Sequence, residues 1–378
     1  MKEKIKYAGA MLICFIAVLF IRMPVMADDG VPATAWRDYA AADFAGGSGT
    51  ETDPYRITDG AQLAKIAKDV ENGTVYKDAY FRLENDIDLS AHRWNPIGVY
   101  KWYEGGATED RMFAGFLDGN GKTITGLIVD ERTEKNRAGL FGQIAYTGAA
   151  TNVGVKDLNI VDARIYATNE GMEKNSSAIL AGFVMANSGH TIRFDDISVS
   201  GTIVNTKVGD NSMMSGGLFG EANRVTADHC RADVTIEGGD NTGGFVGLDG
   251  SSTYTNCKVT GKVTGLWSIG GFVGYAWEAE SATMSTFDNC IAKVAVIASN
   301  WRAGGFAGYM QKGKSSSCAA LGDVTSSVTG FNPIVGGFAG EIGDKNVTGG
   351  AILEKCYAAG KVTAASPDYK AGGFVGTH

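Results

Sequence analysis

The segment GGFVG at residues 243–247 decides the fold, because variants of these five residues return along the chain. The copies are AGLFG at 138–142, AGFVM at 181–185, GGLFG at 216–220, GGFVG at 243–247, 270–274 and 372–376, and GGFAG at 304–308 and 336–340. Between the second residues of successive copies, the intervals are 43, 35, 27, 27, 34, 32 and 36 residues. The shortest unit therefore has 27 residues, and the longer units carry insertions.

Two further sets of positions repeat in register with this motif. A cysteine follows the last motif glycine by 10 residues in three repeats and by 16 in two others, and Leu158 and Ile197 hold the matching position in earlier repeats. A column of β-branched residues, which favour strands, lies six residues further on. The cysteine column comprises Cys230, Cys257, Cys290, Cys318 and Cys356, and the β-branched column comprises Ile203, Ile236, Val263, Val296, Val324 and Val362. Each unit is thus predicted to hold three short strands, formed by the motif, the cysteine segment and the valine segment.

Three short strands in a unit of this length are enough for one turn of a β-solenoid. We predict an all-β fold, a parallel β-helix of about nine to ten turns with a short N-terminal capping helix. Equivalent residues of successive turns are then about 4.8 Å apart. A β-propeller is the alternative, but a four-stranded blade takes about 40 residues or more. The motif glycines are expected to bend the chain at a corner and to permit left-handed backbone angles there.

The composition is that of a folded, turn-rich chain. Of 378 residues, 44% are apolar and 20% are charged, which argues against a disordered chain, a collagen or a multi-span membrane protein. The chain has 53 glycines and 6 prolines, as expected for many tight turns between strands. The net charge is −8 and no segment is dense in Lys and Arg, which disfavours nucleic acid and anionic membrane surfaces as partners.

The first 27 residues have the three parts of a signal peptide. Three lysines precede an apolar run over residues 7–21, and Val25-Met26-Ala27 is a suitable cleavage site. A retained membrane anchor is the alternative, but the run is shorter than the roughly 20 residues that span a bilayer. We predict cleavage after Ala27, a secreted or cell-surface location and no membrane span in the remaining chain.

Residues 28–80 differ in pattern from the repeats and are predicted to form an N-terminal cap. Its helix is expected near residues 61–70, with Thr58 or Asp59 as the N-cap and with Leu63, Ile66 and Val70 on one buried face. Residues 81–376 are predicted to form the solenoid. Its first two turns are expected at 81–89 and 123–129, linked by a tight turn at 118–121.

The motif and the segments before it resemble the GLUG-motif repeat family. The motif appears as GLFG at 139–142 and 217–220. The segments before it that carry the resemblance are DFAGGSGT at 43–50, DPY at 53–55, DIDL at 86–89, WNPIG at 94–98 and FLDGNG at 116–121. The resemblance covers nearly the whole chain after residue 27 and implies a right-handed parallel β-helix. It also implies an exported protein of host-associated bacteria. Some members carry these repeats beside immunoglobulin A1-cleaving metallopeptidase domains, and most have no assigned activity.

No pattern in the sequence predicts a cofactor or a metal site. A zinc peptidase needs two histidines and a glutamate at helical spacing, whereas His92, His190, His229 and His378 are isolated from one another. The cysteines after residue 27 also lack the paired spacing of a zinc site. We predict that they pack as small core residues. The alternative is a disulfide between stacked cysteines, such as Cys230–Cys257 or Cys290–Cys318.

Weak catalytic candidates lie just before the cysteine column. Asp195, Asp196, Asp228 and His229 are expected in adjacent turns, where carboxylates could act on a sugar chain. The alternative is a solvated corner, because the same positions in later repeats hold turn-forming residues such as Asn256 and Ser317.

Aromatic residues are the stronger candidates for ligand contact. Trp267 and Trp301 each lie four residues before a motif glycine, so they are predicted to stack in adjacent turns, and Tyr275 and Trp277 open the insertion that follows. Exposed tryptophans offer flat faces to sugars or to a protein partner. The alternative is that these rings only shield strand edges and loops.

We therefore predict an exported, non-catalytic, adhesin-like repeat protein that binds a host or cell-surface glycan or protein. The alternatives are a β-helix polysaccharide lyase or glycoside hydrolase, and a structural spacer within a larger surface protein. The last motif ends at Gly376, so the final turn is predicted to be uncapped. Such an end predicts either a truncated reading frame or a covering partner, including end-to-end self-association.

Overall fold

A computed structural model describes residues 30–102, 108–133, 137–145, 152–168, 175–205, 213–277, 283–327, 333–343, 349–365 and 370–378. Residues Pro32–His378 form one compact unit. The predicted signal peptide lies outside the described residues. In the described part of the chain, no helix has both the length and the apolar character needed to cross a bilayer.

Three parallel sheets form this unit, and they confirm the predicted all-β fold and the parallel β-helix. Sheet 1 contains Tyr55–Ile57, Tyr80–Leu83, Ile87–Asp88, Phe116–Asp118, Thr123–Thr125, Ile128–Asp130, Gly154–Ala167, Ile192–Asn205, Val225–Asp228, Arg231–Glu237, Thr253–Thr255, Lys258–Gly265, Ser285–Asp288, Ile291–Ala298, Gly313–Ser316, Ala319–Ala320, Val324–Ser326, Ala351–Glu354, Tyr357–Ala358 and Val362–Ala364. Sheet 2 contains Asn175–Ala178, Met213–Gly216, Asn241–Gly243, Ser268–Gly270, Arg302–Gly304, Ile334–Gly336 and Lys370–Gly372. Sheet 3 contains Phe141–Ala145, Ala181–Met185, Phe219–Asn223, Val246–Gly250, Val273–Trp277, Ala307–Met310, Ala339–Ile342 and Val375–Thr377. Val99–Trp102 and Thr108–Arg111 form a separate antiparallel pair.

The strand register confirms the columns that the sequence predicts. The β-branched column pairs Ile203 with Ile236, Val263, Val296, Val324 and Val362 in turn. Leu158 pairs with Ile197, and the residues that follow each cysteine are also paired between successive turns, so the cysteines stack. We call one turn of the solenoid a coil. Like side chains therefore lie over like, one per coil, as in other repeat folds.

The motif forms a bend between two sheets, whereas the sequence predicts that it forms one strand. In one coil, the chain leaves sheet 2 at Gly270, bends through Gly271 and Phe272, and enters sheet 3 at Val273. The phenylalanine of the bend points into the core. Phe245, Phe272, Phe306 and Phe338 are fully buried, and their rings stack with centroids 4.6, 4.9 and 4.8 Å apart. This ring column fills the interior of the coils.

The expected bend at the motif glycines is confirmed, but the expected left-handed angles are wrong, because no motif glycine of the described residues has a positive φ. Their side chains are excluded by space. A Cβ on Gly270 would lie 2.0 Å from the Val273 carbonyl oxygen, and one on Gly271 would lie 2.1 Å from the Gly305 carbonyl oxygen. Only glycine permits the backbones to approach this closely at the bend.

Left-handed backbone occurs instead at the corner before the cysteine column. Asp157, Asp196, His229, Asn256, Asn289, Ser317 and Lys355 have φ values of 51, 53, 53, 56, 51, 55 and 53°. Asn and Asp tolerate this conformation better than most residues. The Asn289 amide donates to Asn256 Oδ1 at 2.8 Å, and the Asn256 amide donates to Asp228 Oδ1 at 3.1 Å. A polar ladder thus runs along this corner of sheet 1.

The N-terminal segment covers the first coil. The helix α1 spans Gly60–Glu71, and the Asp59 side chain caps it by accepting from the Gln62 backbone N–H at 2.9 Å. Leu63, Ile66, Ala67 and Val70 are buried. Tyr55–Ile57 pairs with Tyr80–Leu83, so the first strand of sheet 1 lies before residue 81, at which the solenoid was expected to begin. The tight turn at 118–121 joins two strands within one coil rather than two coils.

The cysteines are free thiols that fill core positions. Cys230, Cys257, Cys290 and Cys318 are buried, and Cys356 is half-buried. Each sulfur contacts backbone carbonyl groups, as Cys257 Sγ does with Thr255 O at 3.3 Å and Ala227 O at 3.5 Å. Burial raises the pKa of the Cys230, Cys257 and Cys290 thiols, which lowers their thiolate fraction.

We expect a thiol reagent to distinguish core packing from disulfide formation. In the chain from residue 28, Cys356 should react with Ellman's reagent under native conditions, while the four buried thiols should react only in denaturant. All five thiols should then be titrated without prior reduction. A total of fewer thiols, restored by a reductant, would show that stacked cysteines form disulfides.

A buried carboxyl group makes the stability of the solenoid depend on pH. Asp249 is fully buried, and its oxygens accept from the Tyr254 hydroxyl at 2.6 Å and from the Ser285 hydroxyl. Burial outweighs these hydrogen bonds and raises the pKa of Asp249 above its usual value. Folding therefore shifts the protonation equilibrium of Asp249 towards the neutral form, relative to the unfolded chain. The contribution of Asp249 to stability is fully present below its unfolded pKa and is lost as the pH rises through the folded pKa.

Asp249→Asn should remove this pH dependence. We expect the variant to be more stable than the unmodified chain at pH 7 by about 1 kcal/mol, and the difference to vanish towards about pH 4. Urea denaturation across this range measures it. Asp288→Asn, at an exposed aspartate of the polar corner, is the control and should show no such trend. A variant less stable than the unmodified chain at neutral pH would contradict the assignment.

Candidate functional site

A groove lies where sheets 2 and 3 meet at the motif bend, on the outside of the coils. It encloses a cavity of about 470 Å³. Its lining consists of Met214, Glu221, Asn241, Leu248, Trp267, Ser268, Tyr275, Trp277, Trp301, Arg302, Tyr309 and Gln311. All four aromatic candidates from the sequence, Trp267, Trp301, Tyr275 and Trp277, are in this lining. We call this feature the groove.

The two walls of the groove are columns of outward-facing residues in register. The wall from sheet 2 carries Met214, Asn241, Ser268 and Arg302, each paired with the next. The wall from sheet 3 carries Glu221, Leu248, Tyr275 and Tyr309, paired in the same way. Each coil therefore contributes one residue to each wall.

Glycine holds the walls close together at the bend. A Cβ on Gly274, in sheet 3, would lie 2.7 Å from the Thr242 backbone nitrogen, which belongs to sheet 2. A Cβ on Gly308 would lie 2.4 Å from the Ile269 backbone nitrogen. Because these neighbours are backbone atoms, a side chain at Gly274 or Gly308 would push the two sheets apart. The repeated motif thus forms the bend and the groove beside it.

The copy of the motif that the sequence places at 181–185 is wrong by three residues. Because Ala181 pairs with Phe219, Gly182 and not Met185 holds the last motif position.

The tryptophans meet edge to face and the tyrosines stack. Trp267 and Trp301 precede the wall residues Ser268 and Arg302, and their ring centroids are 5.6 Å apart at 71°. This contact confirms that they lie together in adjacent coils. The rings of Tyr275 and Tyr309 are 4.9 Å apart at 17°. The Trp301 side chain is 36% exposed, so part of its ring is open to a ligand.

Polar groups are interleaved with these rings. The Tyr275 hydroxyl donates to Gln311 Oε1 at 2.8 Å. Arg302 spans the bend, because it belongs to sheet 2 while its Nε donates to Glu341 Oε2 on sheet 3. Its guanidinium carbon lies 3.8 Å from the Trp301 ring centroid and 4.2 Å from that of Tyr309, within the range of cation–π attraction.

The groove presents flat aromatic faces together with amide, hydroxyl, carboxylate and guanidinium groups. Glu221 and Glu341 are four coils apart on sheet 3, which corresponds to about 19 Å at the usual strand spacing. Paired carboxylates of glycosidases are about 5 to 10 Å apart. Within the described ranges, no cluster of three or more His, Cys, Asp or Glu residues could hold a metal ion. The arrangement is suited to holding a polar, flat-faced ligand.

The weak catalytic candidates lie together at another place, the polar corner of sheet 1. Asp195 pairs with Asp228 in the next coil, and His229 Nδ1 is 2.9 Å from Asp228 Oδ2. Arg193 forms an ion pair with Asp195 at 3.1 Å. The His229 and Asp228 side chains are 56% and 45% exposed, so water solvates this cluster.

Sequence analysis did not identify several lining residues, among them Tyr309, Arg302, Gln311 and Glu221. A signal for them exists in the repeat register. Tyr309 occupies the same position in its repeat as Tyr275, and Arg302 occupies the same position as Ser268. Reading each motif position across all copies would have placed these residues in the same two columns as the aromatic candidates.

No protein-family model matches the sequence. Halomucin of Haloquadratum walsbyi is 31% identical to this chain over 191 residues, which are 49% of the chain and 2% of halomucin. A protein of Evansella cellulosilytica, described provisionally as a Gly-rich membrane protein, is 35% identical over 118 residues, which are 30% of the chain and 12% of that protein. The chain therefore spans a small part of the length of these relatives.

A solved structure has the same fold. It is a protein of Bacteroides ovatus, described provisionally as an immunoglobulin A1 protease, and it superposes with a TM-score of 0.53 over 86% of this chain and 90% of its own. The two sequences are 16% identical. At this identity, the likeness shows the parallel β-helix and nothing about activity.

Proposed function

We propose that this chain is an exported, non-catalytic surface protein of the adhesin type, and that its groove binds carbohydrate. One observation carries the proposal: the four aromatic residues singled out in the sequence line a single groove together with hydrogen-bonding side chains. Sugar rings have apolar C–H faces and hydroxyl edges. Aromatic faces bind the former, and amide and charged groups bind the latter.

The lining favours a sugar over an apolar protein segment. Polar side chains such as Asn241 and Ser268 line the groove together with the rings of Trp267 and Tyr275. A hydrophobic peptide would take these polar groups out of water without offering them hydrogen bonds, at a cost for each. The volume of the groove is within the range of small-ligand sites, about 300 to 1,000 Å³.

The surface location rests on three supports. The N-terminal segment has the parts of a signal peptide. The repeats resemble the GLUG-motif family of exported bacterial proteins, of which we propose that this chain is a member. Partial matches to halomucin and to a protein described provisionally as a membrane protein agree with a place at the cell surface.

A β-helix lyase or hydrolase is the second candidate, because Asp195, Asp228 and His229 lie together in neighbouring coils. The exposure of Asp228 and His229 argues against it, since water solvates both side chains and they lie outside the groove. Release of new chain ends from uronate-rich or mucin glycans, abolished in Asp228→Asn, would favour this candidate.

A glycan array tests the proposal. The chain from residue 28, labelled and applied to an array of mucin O-glycans and of plant and bacterial cell-wall oligosaccharides, should bind a defined subset. Reducing ends measured in parallel on the same glycans should not increase. If no glycan on the array retains the protein, the proposal is wrong and the spacer role takes its place.

A further inference from the structure

The groove has two ends, and an arginine lies at the later one. Its lining comes from four successive coils, the first with Met214 and Glu221 and the last with Arg302 and Tyr309. Four coils span three strand spacings, or about 14 Å. The same two columns of sheets 2 and 3 continue beyond these coils on both sides, but their residues do not line the cavity.

At the later end, Arg302 lies across the groove. Its guanidinium is placed between Trp301 beside sheet 2 and Tyr309 on sheet 3. Its hydrogen bond to Glu341 reaches the sheet 3 residue of the following coil. The side chains of Arg302 and Glu341 are only 15% and 22% exposed. A guanidinium held by two rings and a carboxylate forms an end wall, because displacing it breaks an ion pair and uncovers two aromatic faces.

A second arginine, Arg137, has a similar arrangement outside the groove. It lies two coils before Met214 in the sheet 2 column, since the neighbouring Ala138 pairs with Ser177. Its guanidinium carbon lies 3.7 Å from the Phe183 ring centroid and 4.2 Å from that of Tyr100. It also donates to Gln143 Oε1 on sheet 3. Arg137 and these partners are not part of the lining, so the end wall formed by an arginine belongs to the later end of the groove.

We propose that the groove is closed at its later end by Arg302 and therefore binds the end of a glycan chain, or a short branch, rather than an internal stretch of a long polysaccharide. The inference rests on the proposed function. An extended sugar residue is about as long as one strand spacing, so about three residues fit along the four lining coils. A polysaccharide that runs along the coils has to pass Arg302, whereas a chain end does not.

The dependence of affinity on ligand length tests this inference. The probes are cello-, chito- and xylo-oligosaccharides from the disaccharide to the octasaccharide, and glycans with terminal branches released from mucin, titrated against the chain from residue 28. In the series that binds, affinity should rise up to about the trisaccharide and change by less than about twofold beyond it. For the corresponding polymer, binding should increase in proportion to the chain ends made by partial cleavage.

The outcomes separate the inference from the function on which it rests. A further rise of about tenfold between the trisaccharide and the octasaccharide, or binding to a polymer that is independent of its ends, overturns the closed groove and leaves carbohydrate binding intact. An absence of binding by every probe overturns both.

A variant with the end wall removed provides the second test. Arg302→Ala combined with Glu341→Gln opens the later end without leaving an unpaired carboxylate. The length at which affinity stops rising should move to longer oligosaccharides, whatever the affinity for the trisaccharide becomes. Lys370→Ala is the matched control, since Lys370 lies in the same sheet 2 column two coils further on and is exposed. An unmoved limit in a folded double variant contradicts the role of Arg302.

Discussion

Replacing Gly305 with alanine is expected to destabilise the solenoid by about 3 kcal/mol, as overpacking does in tight cores. A Cβ at this position would lie 2.1 Å from the Gly337 carbonyl oxygen of the next coil and 3.0 Å from the Ala320 side chain on sheet 1. Ala320 is held by strand pairing, and the Gly337 backbone N–H donates to the Gly372 carbonyl oxygen at 3.1 Å. Gly305 has no positive φ, so the loss of stability reports steric crowding and not an unfavourable backbone conformation.

The repeat itself provides the control for this prediction. Gly373 holds the same motif position in the last copy, and a Cβ there would meet no atom of the described residues within 4 Å. Gly373→Ala should therefore change the stability by no more than about 0.5 kcal/mol. Equilibrium urea denaturation of the two variants and the unmodified chain measures the difference. Equal losses in both variants would show that glycine is required at this position for a reason other than close packing between coils.

Replacing Trp267 and Trp301 together with alanine is expected to weaken glycan binding by about 100-fold, since central aromatic residues carry most of the energy of such sites. The two rings contact each other and form one side of the groove. Because Trp301 is 36% exposed, and Trp267 half-buried, we expect the coils to stay folded. Titration with the strongest binder from the array measures the loss.

Tyr357→Ala is the control for the tryptophan variant. Tyr357 is 55% exposed on sheet 1 and does not line the groove. Its removal takes away an exposed aromatic ring without changing the groove, so the affinity should stay within about twofold. If binding is unchanged after both tryptophans are replaced and the fold is intact, the ligand binds at another surface.

The columns of the solenoid could be predicted from the sequence because a repeat of one coil puts equivalent residues at equivalent places. The cysteine and valine columns depend only on position along the chain, and the register of Val263 with Val296 follows from it. The same logic placed Trp267 above Trp301. Hydrophobic pattern and spacing carry this information in full.

The bend and its consequences could not be predicted in the same way. Gly270 and Gly274 could be required either for a left-handed backbone angle or for a close backbone contact. Only the structure distinguishes these two reasons. Contacts across the bend, such as that of Arg302 with Glu341, depend on the angle between two sheets. Residue spacing does not determine that angle, so Arg302 at the later end of the groove was not among the candidates.

Fluorine NMR of the chain labelled with 5-fluorotryptophan tests most directly that the groove is the ligand site. Each signal is assigned by substituting one tryptophan at a time. The signals of Trp267, Trp301 and Trp277, which line the groove, should shift when the strongest glycan binder from the array is added. Those of Trp94, which is 1% exposed, and Trp36, whose indole donates to Leu89 O, should not move. Saturable binding that leaves the three groove signals unchanged would contradict the account.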